Sequence, residues 1–365
     1  MRVVHVINGM ATGGAEKLLA DIIPRLEARD IQIDLILLNG KSHPLKMQLA
    51  DKMTGSIVSL GENSVYSPFH IFRLRKHLKK YDLVHVHLFP GLYWVALCKF
   101  LFNIPVTLVF TEHSTSNRRF RQNWTKVIDA FIYNRYSKIV SISERINAFI
   151  THRFSLDTVI TIPNGIDISA YQGADAYSIP EMTDIFASYT TPRKWVIQVS
   201  SFQEPKDQTT VAQSLRYLPQ DVFVAFVGTG PLLQKTKDTI QQLGISERVA
   251  FLGVRTDVPR LLKSADIIVL SSKYEGMSLS SIEGMASGRP FVASDVPGLS
   301  EIVAGAGVLF PQGDAKQLAK EINQLLDNQE YYNEVVEKCQ ERAASFDIST
   351  MVHKHIDLYE SIYQA

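Results

Sequence analysis

Short apolar, β-branched runs alternate with stretches of helical periodicity along the whole chain. The runs 3–8, 33–38, 83–87, 106–111, 138–141 and 158–162 predict one set of strands. A second set is predicted at 195–200, 222–227, 249–252, 267–270, 291–293 and 307–310. Helical patterns between them include 15–28, 68–80, 124–135, 208–218, 232–243 and 279–287. Apolar strands alternating with helices imply parallel sheets covered on both faces. The chain therefore reads as an α/β protein of two doubly wound, Rossmann-like domains. Weak periodicity with Pro180 and Pro192 marks 168–193 as a linker. The expected domains are then 1–167 and 194–350, with an amphipathic helix at about 351–365 closing the chain.

The 365 residues suffice for two buried cores at roughly 150 residues per domain. Hydrophobic residues at 45% and charged residues at 21% exclude a disordered chain. A net charge of +1 gives no global case for nucleic-acid binding, but it hides an asymmetry. Up to position 176 there are 21 basic and 14 acidic residues, net +7, and beyond it 17 and 23, net −6. Cys98 and Cys339 make neither a disulfide framework nor a zinc site by themselves, which fits a reducing compartment. The first apolar run begins at Val3, so no secretory leader is visible. The apolar stretch 91–110 carries Lys99 and is broken at Asn103-Ile104-Pro105, so it reads as a buried helix followed by a strand, not a membrane span. The expectation is a cytoplasmic protein, soluble or peripheral at the inner face of the cell membrane.

In open α/β sheets ligands bind beyond the carboxyl ends of the strands. Two such domains facing each other would enclose a cleft, and five loops carry candidate chemistry for it. Gly13 and Gly14 open the first helix, where close backbone approach and free N–H groups suit phosphate, although a plain turn is equally compatible. His85 and His87 share one face of their strand and His113 follows the next, but no metal-ligand motif accompanies them. Lys206 sits on the loop after the first strand of the second half, placed to neutralise a diphosphate. Gly228-Thr229-Gly230 follows a strand but has Leu233 where a dinucleotide fingerprint needs its third glycine. The most informative loop runs Tyr274-Glu275-Gly276-Met277-Ser278-Leu279-Ser280-Ser281-Ile282-Glu283-Gly284. Gly276 allows an unusual turn, Ser278 is a candidate N-cap and Gly288 a C-terminal stop. Glu275 and Glu283 can then hold hydroxyls on either side of amides that suit phosphate.

These loops, in this order, resemble the retaining glycosyltransferases of glycosyltransferase family 4, which have the GT-B fold. The resemblance spans essentially the whole chain. It includes Gly13-Gly14-Ala15-Glu16, His113, Ile162-Pro163-Asn164-Gly165-Ile166-Asp167, Val227-Gly228-Thr229-Gly230-Pro231 and Phe251-Leu252-Gly253. It continues through Ser264-Ala265-Asp266, Glu275 and Glu283, Asp295-Val296-Pro297-Gly298 and Glu301-Ile302-Val303. It implies transfer of a hexose from a UDP- or GDP-sugar, with retention and without an obligatory metal or other cofactor. Carried over by position, Glu283 binds the ribose and Glu275 the transferred sugar. Gly276, Met277, Ser278 and Leu279 offer amides to the diphosphate and sugar. Lys206 neutralises phosphate, helped by Gly13 and Gly14, Arg255 holds the base, and His113 contacts the sugar. His113, Glu275 and Lys206 are the candidate catalytic residues. The resemblance also implies a last helix returning to the first domain.

Two departures stand out. Ser201 replaces an Arg usual in the family, and Gly284 replaces the Ala usual after the second Glu. The first half is basic, with Arg73, Arg75, Lys76, His77, Lys79 and Lys80 on one helix and Arg118, Arg119 and Arg121 after His113. A solvated face is one reading, and contact with a lipid-linked or glycan acceptor at an anionic membrane surface is the other. A nucleotide-sugar 2-epimerase of the same fold, or a weakly active nucleotide-sugar-binding subunit, are the competing functions.

Overall fold

The β-branched runs become strands because both of their faces are covered. Val3, Val4, Val6 and Ile7 are all fully buried, as are Val222 to Val227 within a few per cent. In the computed structural model, which describes residues 1–11, 13–114, 120, 122, 125–185 and 194–364, the chain forms two units. They are Met1–Gly165 with Ile348–Ala365, and Ile166–Asp347.

The first unit holds β1 (Arg2–Ile7), β2 (Gln32–Leu37), β3 (Ile57–Ser59), β4 (Leu83–His87), β5 (Thr107–Glu112), β6 (Lys138–Ser141) and β7 (Val159–Thr161). They pair in parallel in the order β3-β2-β1-β4-β5-β6-β7. Helix Gly14–Glu27 buries Leu18, Leu19, Ile22, Ile23 and Leu26 on this sheet. The last helix, Ile348–Tyr363, packs beside it and adds Met351, Val352, Leu358 and Tyr359 to the same core.

The second unit holds β8 (Lys194–Val199), β9 (Val222–Val227), β10 (Val249–Phe251), β11 (Ile267–Leu270), β12 (Phe291–Asp295) and β13 (Val308–Pro311). Their order is β10-β9-β8-β11-β12-β13, again all parallel. In each sheet the strand order reverses once, between β1 and β4 and between β8 and β11. Loops leaving the carboxyl ends of those strands diverge and leave room for a ligand.

Three expectations are corrected. The segment read as a linker carries helices Ile168–Gln172 and Ile179–Ile185, and its residues 186–193 lie outside the described residues. Ile168 and Tyr171, one turn apart, bury into the second core, and the Asp167 carboxylate caps this short helix at Ala170 N, 3.3 Å away. Strand β3 was not expected, because its three residues are only half-buried or exposed and make no apolar run. Helix Gly91–Phe102 is buried on one side only: Phe100 and Leu101 face outward at 51% and 58% exposure.

Candidate active site

The loops after β8 and β11 are laced together. Asp207 N donates to Ser271 O (3.0 Å), Lys273 N donates to Pro205 O (2.9 Å), and Lys206 and Ser272 pair as an isolated antiparallel bridge. This lacing brings Lys206 Nζ onto the Glu275 carboxylate as an ion pair, with the two side chains only 13% and 11% exposed. Ser272 Oγ donates to the same carboxylate oxygen at 2.6 Å. A buried charge pair of this kind persists only when further hydrogen bonds satisfy it, and Ser272 supplies one.

The loop is braced from below by Asp295-Val296-Pro297-Gly298. Glu275 N donates to Pro297 O at 3.0 Å. Gly298 takes a left-handed backbone, with φ +89°, at a place where a Cβ would overlap the Glu275 carbonyl.

Helix Leu279–Ala286 follows. Ser278 occupies the N-cap position with extended backbone, as expected, and its hydroxyl makes no cap hydrogen bond. The first turn of a helix has N–H groups without intrahelical acceptors, and an anion is their natural partner. Glu283 lies one turn into the helix and is 4% exposed. The departure at Gly284 has a packing cause: a Cβ there would lie 2.5 Å from the Phe291 ring. Gly288, at φ +76°, ends the helix as expected.

Gly228 and Gly230 serve close backbone approach. A Cβ at either would overlap the carbonyl of Ser200 or of Phe202, and Phe202 N donates to Thr229 O at 3.0 Å. The loop thus supports the one that carries Lys206. Arg255 is bonded to Asp257 through Nε and Nη2, at 2.8 and 2.5 Å. These bonds hold the Asp257 carboxyl down at about 2 and raise the guanidinium further. Arg255 therefore already has a carboxylate partner, Asp257, two residues on.

In the first unit the expected histidines join a larger cluster. His5 and His85 are register partners on β1 and β4, and His5 Nδ1 shares a hydrogen bond with His87 Nε2 at 3.0 Å. His85 Nε2 meets Thr111 Oγ1 at 2.7 Å, and its Nδ1 meets the Tyr359 hydroxyl at 2.6 Å. His355, one turn earlier on the last helix, donates from Nδ1 to Met351 O at 2.9 Å. The ring of His113 packs on that of His87 with centroids 5.8 Å apart, and neither His113 Nε2 nor His87 Nδ1 finds a partner. Burial is the first cause that lowers all five histidines, His5 to about 3 and His113 and His355 to about 4. A cavity of about 10 Å³ beside His5, His87, His355, Thr111 and Asn164 is of the size needed for one water. Ring nitrogens of His5, His85 and His87 lie within 4.8 Å of one another, the one such grouping among the described residues. No carboxylate belongs to it, and hydrogen bonds within the cluster already engage these rings.

Gly13 and Gly14 do open helix Gly14–Glu27, and Gly13 N-caps it without a side-chain bond. Of the expected second-unit residues, Lys206 and Glu275 are in contact, and the loop that carries Glu275 leads into the helix start and Glu283 one turn inside it. Arg255 is engaged elsewhere. Arg118, Arg119 and Arg121 lie outside the described residues. Ser272, His5, His355, Tyr359 and Asp257 were not singled out from the sequence. Only Asp257, two residues from Arg255, carried a local signal.

Comparison with known proteins covers nearly the same span. The family model for glycosyltransferase family 4 matches residues 12–170, and that for glycosyl transferases group 1 matches residues 182–342. An Escherichia coli UDP-Gal:alpha-D-GlcNAc-diphosphoundecaprenol alpha-1,3-galactosyltransferase is 24% identical over 90% of this chain and 89% of its own. The lipopolysaccharide core mannosyltransferase LpsB of Rhizobium meliloti is 27% identical over 64% of this chain and 65% of its own. Among solved structures, Anabaena HepE in complex with UDP and glucose superposes with a TM-score of 0.85 at 21% identity, over 99% of this chain and 100% of that one. WaaG, a glycosyltransferase of lipopolysaccharide biosynthesis, gives 0.72 at 16% identity, over 98% and 99%.

Proposed function

Because the chain belongs to the glycosyltransferases of family 4 and group 1, with the GT-B fold, we propose that it is a retaining hexosyltransferase. It moves a sugar from a UDP- or GDP-sugar to a glycan or lipid-linked acceptor, in surface polysaccharide or glycolipid synthesis at the inner face of the cell membrane. The observation that carries this reading is the Lys206–Glu275 pair, set on the loops that leave the two strands flanking the strand-order reversal and next to a helix start whose N-cap makes no side-chain bond. A cation and the N–H groups of a helix start suit a diphosphate, and two carboxylates nearby suit hydroxyls. The E. coli relative, named for a UDP-galactose donor and a diphosphoundecaprenol acceptor, supports the choice of donor and acceptor class.

Cleavage of the sugar–phosphate bond places negative charge on the leaving diphosphate. Lys206 and the N–H groups at 276–279 stabilise that charge where it develops, and one well-placed donor is worth about 3–4 kcal/mol. Glu283 holds ribose hydroxyls and Glu275 those of the transferred sugar. From the first unit, this reading assigns His113 and the start of helix Gly14–Glu27 to the reacting sugar and its phosphate. The scheme requires no metal ion, because fixed positive groups do the neutralising.

Incubation with a panel of UDP-, GDP- and ADP-sugars, with free nucleotide as the readout, tests the proposal. Slow donor hydrolysis by the native chain, lost in Glu283→Ala and Lys206→Ala, is expected. Nucleotide-sugar binding without any turnover, with or without acceptor, would leave a binding subunit, and conversion of the sugar to its 2-epimer would identify an epimerase.

A further inference from the structure

Helices His70–Leu78, Gly91–Phe102 and Thr125–Tyr133 lie side by side on the first unit, and their outer side is unusual for a water-facing surface. Phe69, Phe72, Phe100, Leu101, Val127 and Phe131 are all exposed, Val127 at 78% and Phe72 at 59%. The patch is continuous from helix to helix: the ring of Phe72 meets Phe102 at 5.9 Å and that of Phe100 meets Phe131 at 5.4 Å. Single exposed apolar residues are ordinary, but a contiguous patch marks a binding surface.

The charges on the same face say what covers it. Arg73, Arg75, Lys76, Lys79 and Lys80 are exposed along the first helix and its end, Lys126 lies on the third with Arg135 just beyond it, and Lys99 lies on the second. The three helices carry one acidic residue, Asp129, which is fully buried and accepts from the Tyr93 hydroxyl. Arg75 lies over the Phe102 ring at 4.5 Å, and Arg135 over Phe131 and Phe100 at 4.4 and 4.7 Å. The cationic heads are thus held level with the aromatic rings. Aromatic rings and long basic side chains on one face suit the boundary between lipid headgroups and acyl chains. A second copy of this chain would bring the same cations against one another.

We propose that this three-helix face docks the protein on an anionic lipid bilayer, with Phe72, Phe100, Leu101 and Val127 entering the interface and the surrounding Arg and Lys engaging headgroups. The inference deepens the reading of a lipid-linked acceptor by naming the surface that meets the membrane. It stands on residues separate from the donor site.

The test is co-sedimentation of the full chain with vesicles of phosphatidylcholine alone or of equal parts phosphatidylcholine and phosphatidylglycerol. Binding to the anionic vesicles at least about tenfold stronger than to the neutral ones is expected, falling as salt is added. Leu101→Ser with Val127→Ser should weaken it severalfold at constant charge, and Arg75→Glu with Lys79→Glu at least about fivefold per position. All these side chains are exposed, so the variants should keep the native melting temperature and native affinity for nucleoside diphosphates. Equal binding to both vesicles, no binding to either, or indifference to the apolar pair overturns the proposal. So does a concentration-dependent dimer that the apolar pair abolishes, which would assign the face to a second copy. Vesicle binding without donor turnover would instead overturn the transferase reading and leave this one standing.

Discussion

Replacing Glu275 by Gln should move two observables in opposite directions. In the unliganded protein the Lys206 ammonium already has a counter-ion, the Glu275 carboxylate, and both are largely shielded from water. A diphosphate that comes to Lys206 must take over this ammonium while lying near a carboxylate of its own sign. Two unit charges about 7 Å apart interact by about 2.4 kcal/mol at an effective dielectric of about 20. Halving this for solvent at the open side leaves about 1.2 kcal/mol, close to tenfold in affinity. Gln keeps the shape and can still accept from Ser272 Oγ, but it removes the competing charge. Glu275→Gln should therefore bind a free nucleoside diphosphate about tenfold more tightly than the native chain. The same variant loses the charge-assisted hydrogen bond to the sugar, worth about 1.5–3 kcal/mol, so donor turnover should fall by one to two orders of magnitude. Calorimetric titration with nucleoside diphosphates, beside a turnover assay, reads both. Unchanged or weaker diphosphate binding in the variant would refute the reasoning, because Lys206 would then not be the ammonium that the phosphate takes over. The nucleoside monophosphate serves as the control and should gain much less.

Further outcomes follow from other contacts. Gly284→Ala, a favourable change in an isolated helix by about 1 kcal/mol, should destabilise the second unit by about 1–3 kcal/mol through overpacking against Phe291; a raised urea midpoint would contradict this. Gly298→Ala should lower donor turnover, because the new Cβ displaces the Glu275 loop at a left-handed backbone position; unchanged turnover in a folded variant would count against the bracing role. The buried histidines have pKa values below their usual 6.5. Their contribution to stability is thus complete above that pH and declines as pH falls toward about 4 for His113 and His355. Each unit of pH below about 6.5 removes up to ~1.4 kcal/mol per histidine, so the first unit should unfold steeply with acid, and a flat stability profile between neutrality and pH about 4.5 would refute it. Tyr359→Phe leaves His85 Nδ1 and His5 Nε2 without their shared hydroxyl and should cost about 1–3 kcal/mol in chemical denaturation.

The two sheets were legible because their strands are buried on both faces and so stand out as β-branched runs. Lys206, Glu275 and Glu283 were legible for a related reason: each follows such a run, where the topology places ligands. What the sequence concealed depends on contacts between distant positions. Lys206 and Glu275 are 69 residues apart, and nothing local says that they pair. His85, His87 and His113 could be singled out from their strands, but the cluster is completed by His5 at the start of the chain and by His355 and Tyr359 at its end. Gly298, the left-handed residue that braces the Glu275 loop, sits on a neighbouring turn and only its contact with the Glu275 carbonyl gives it that role. The stretch 91–110 was apolar enough to look wholly buried. Only the packing of three helices reveals that Phe100 and Leu101 face outward among cations.

The most direct measurement is a crystal structure of the chain soaked with a nucleoside diphosphate. The diphosphate should lie within hydrogen-bonding distance of Lys206 Nζ and of backbone N–H groups at 276–279, with the ribose on Glu283 and the Glu275 carboxylate released from Lys206. A nucleotide bound away from the β8 and β11 loops, or a Lys206–Glu275 pair left intact beneath it, would contradict the account.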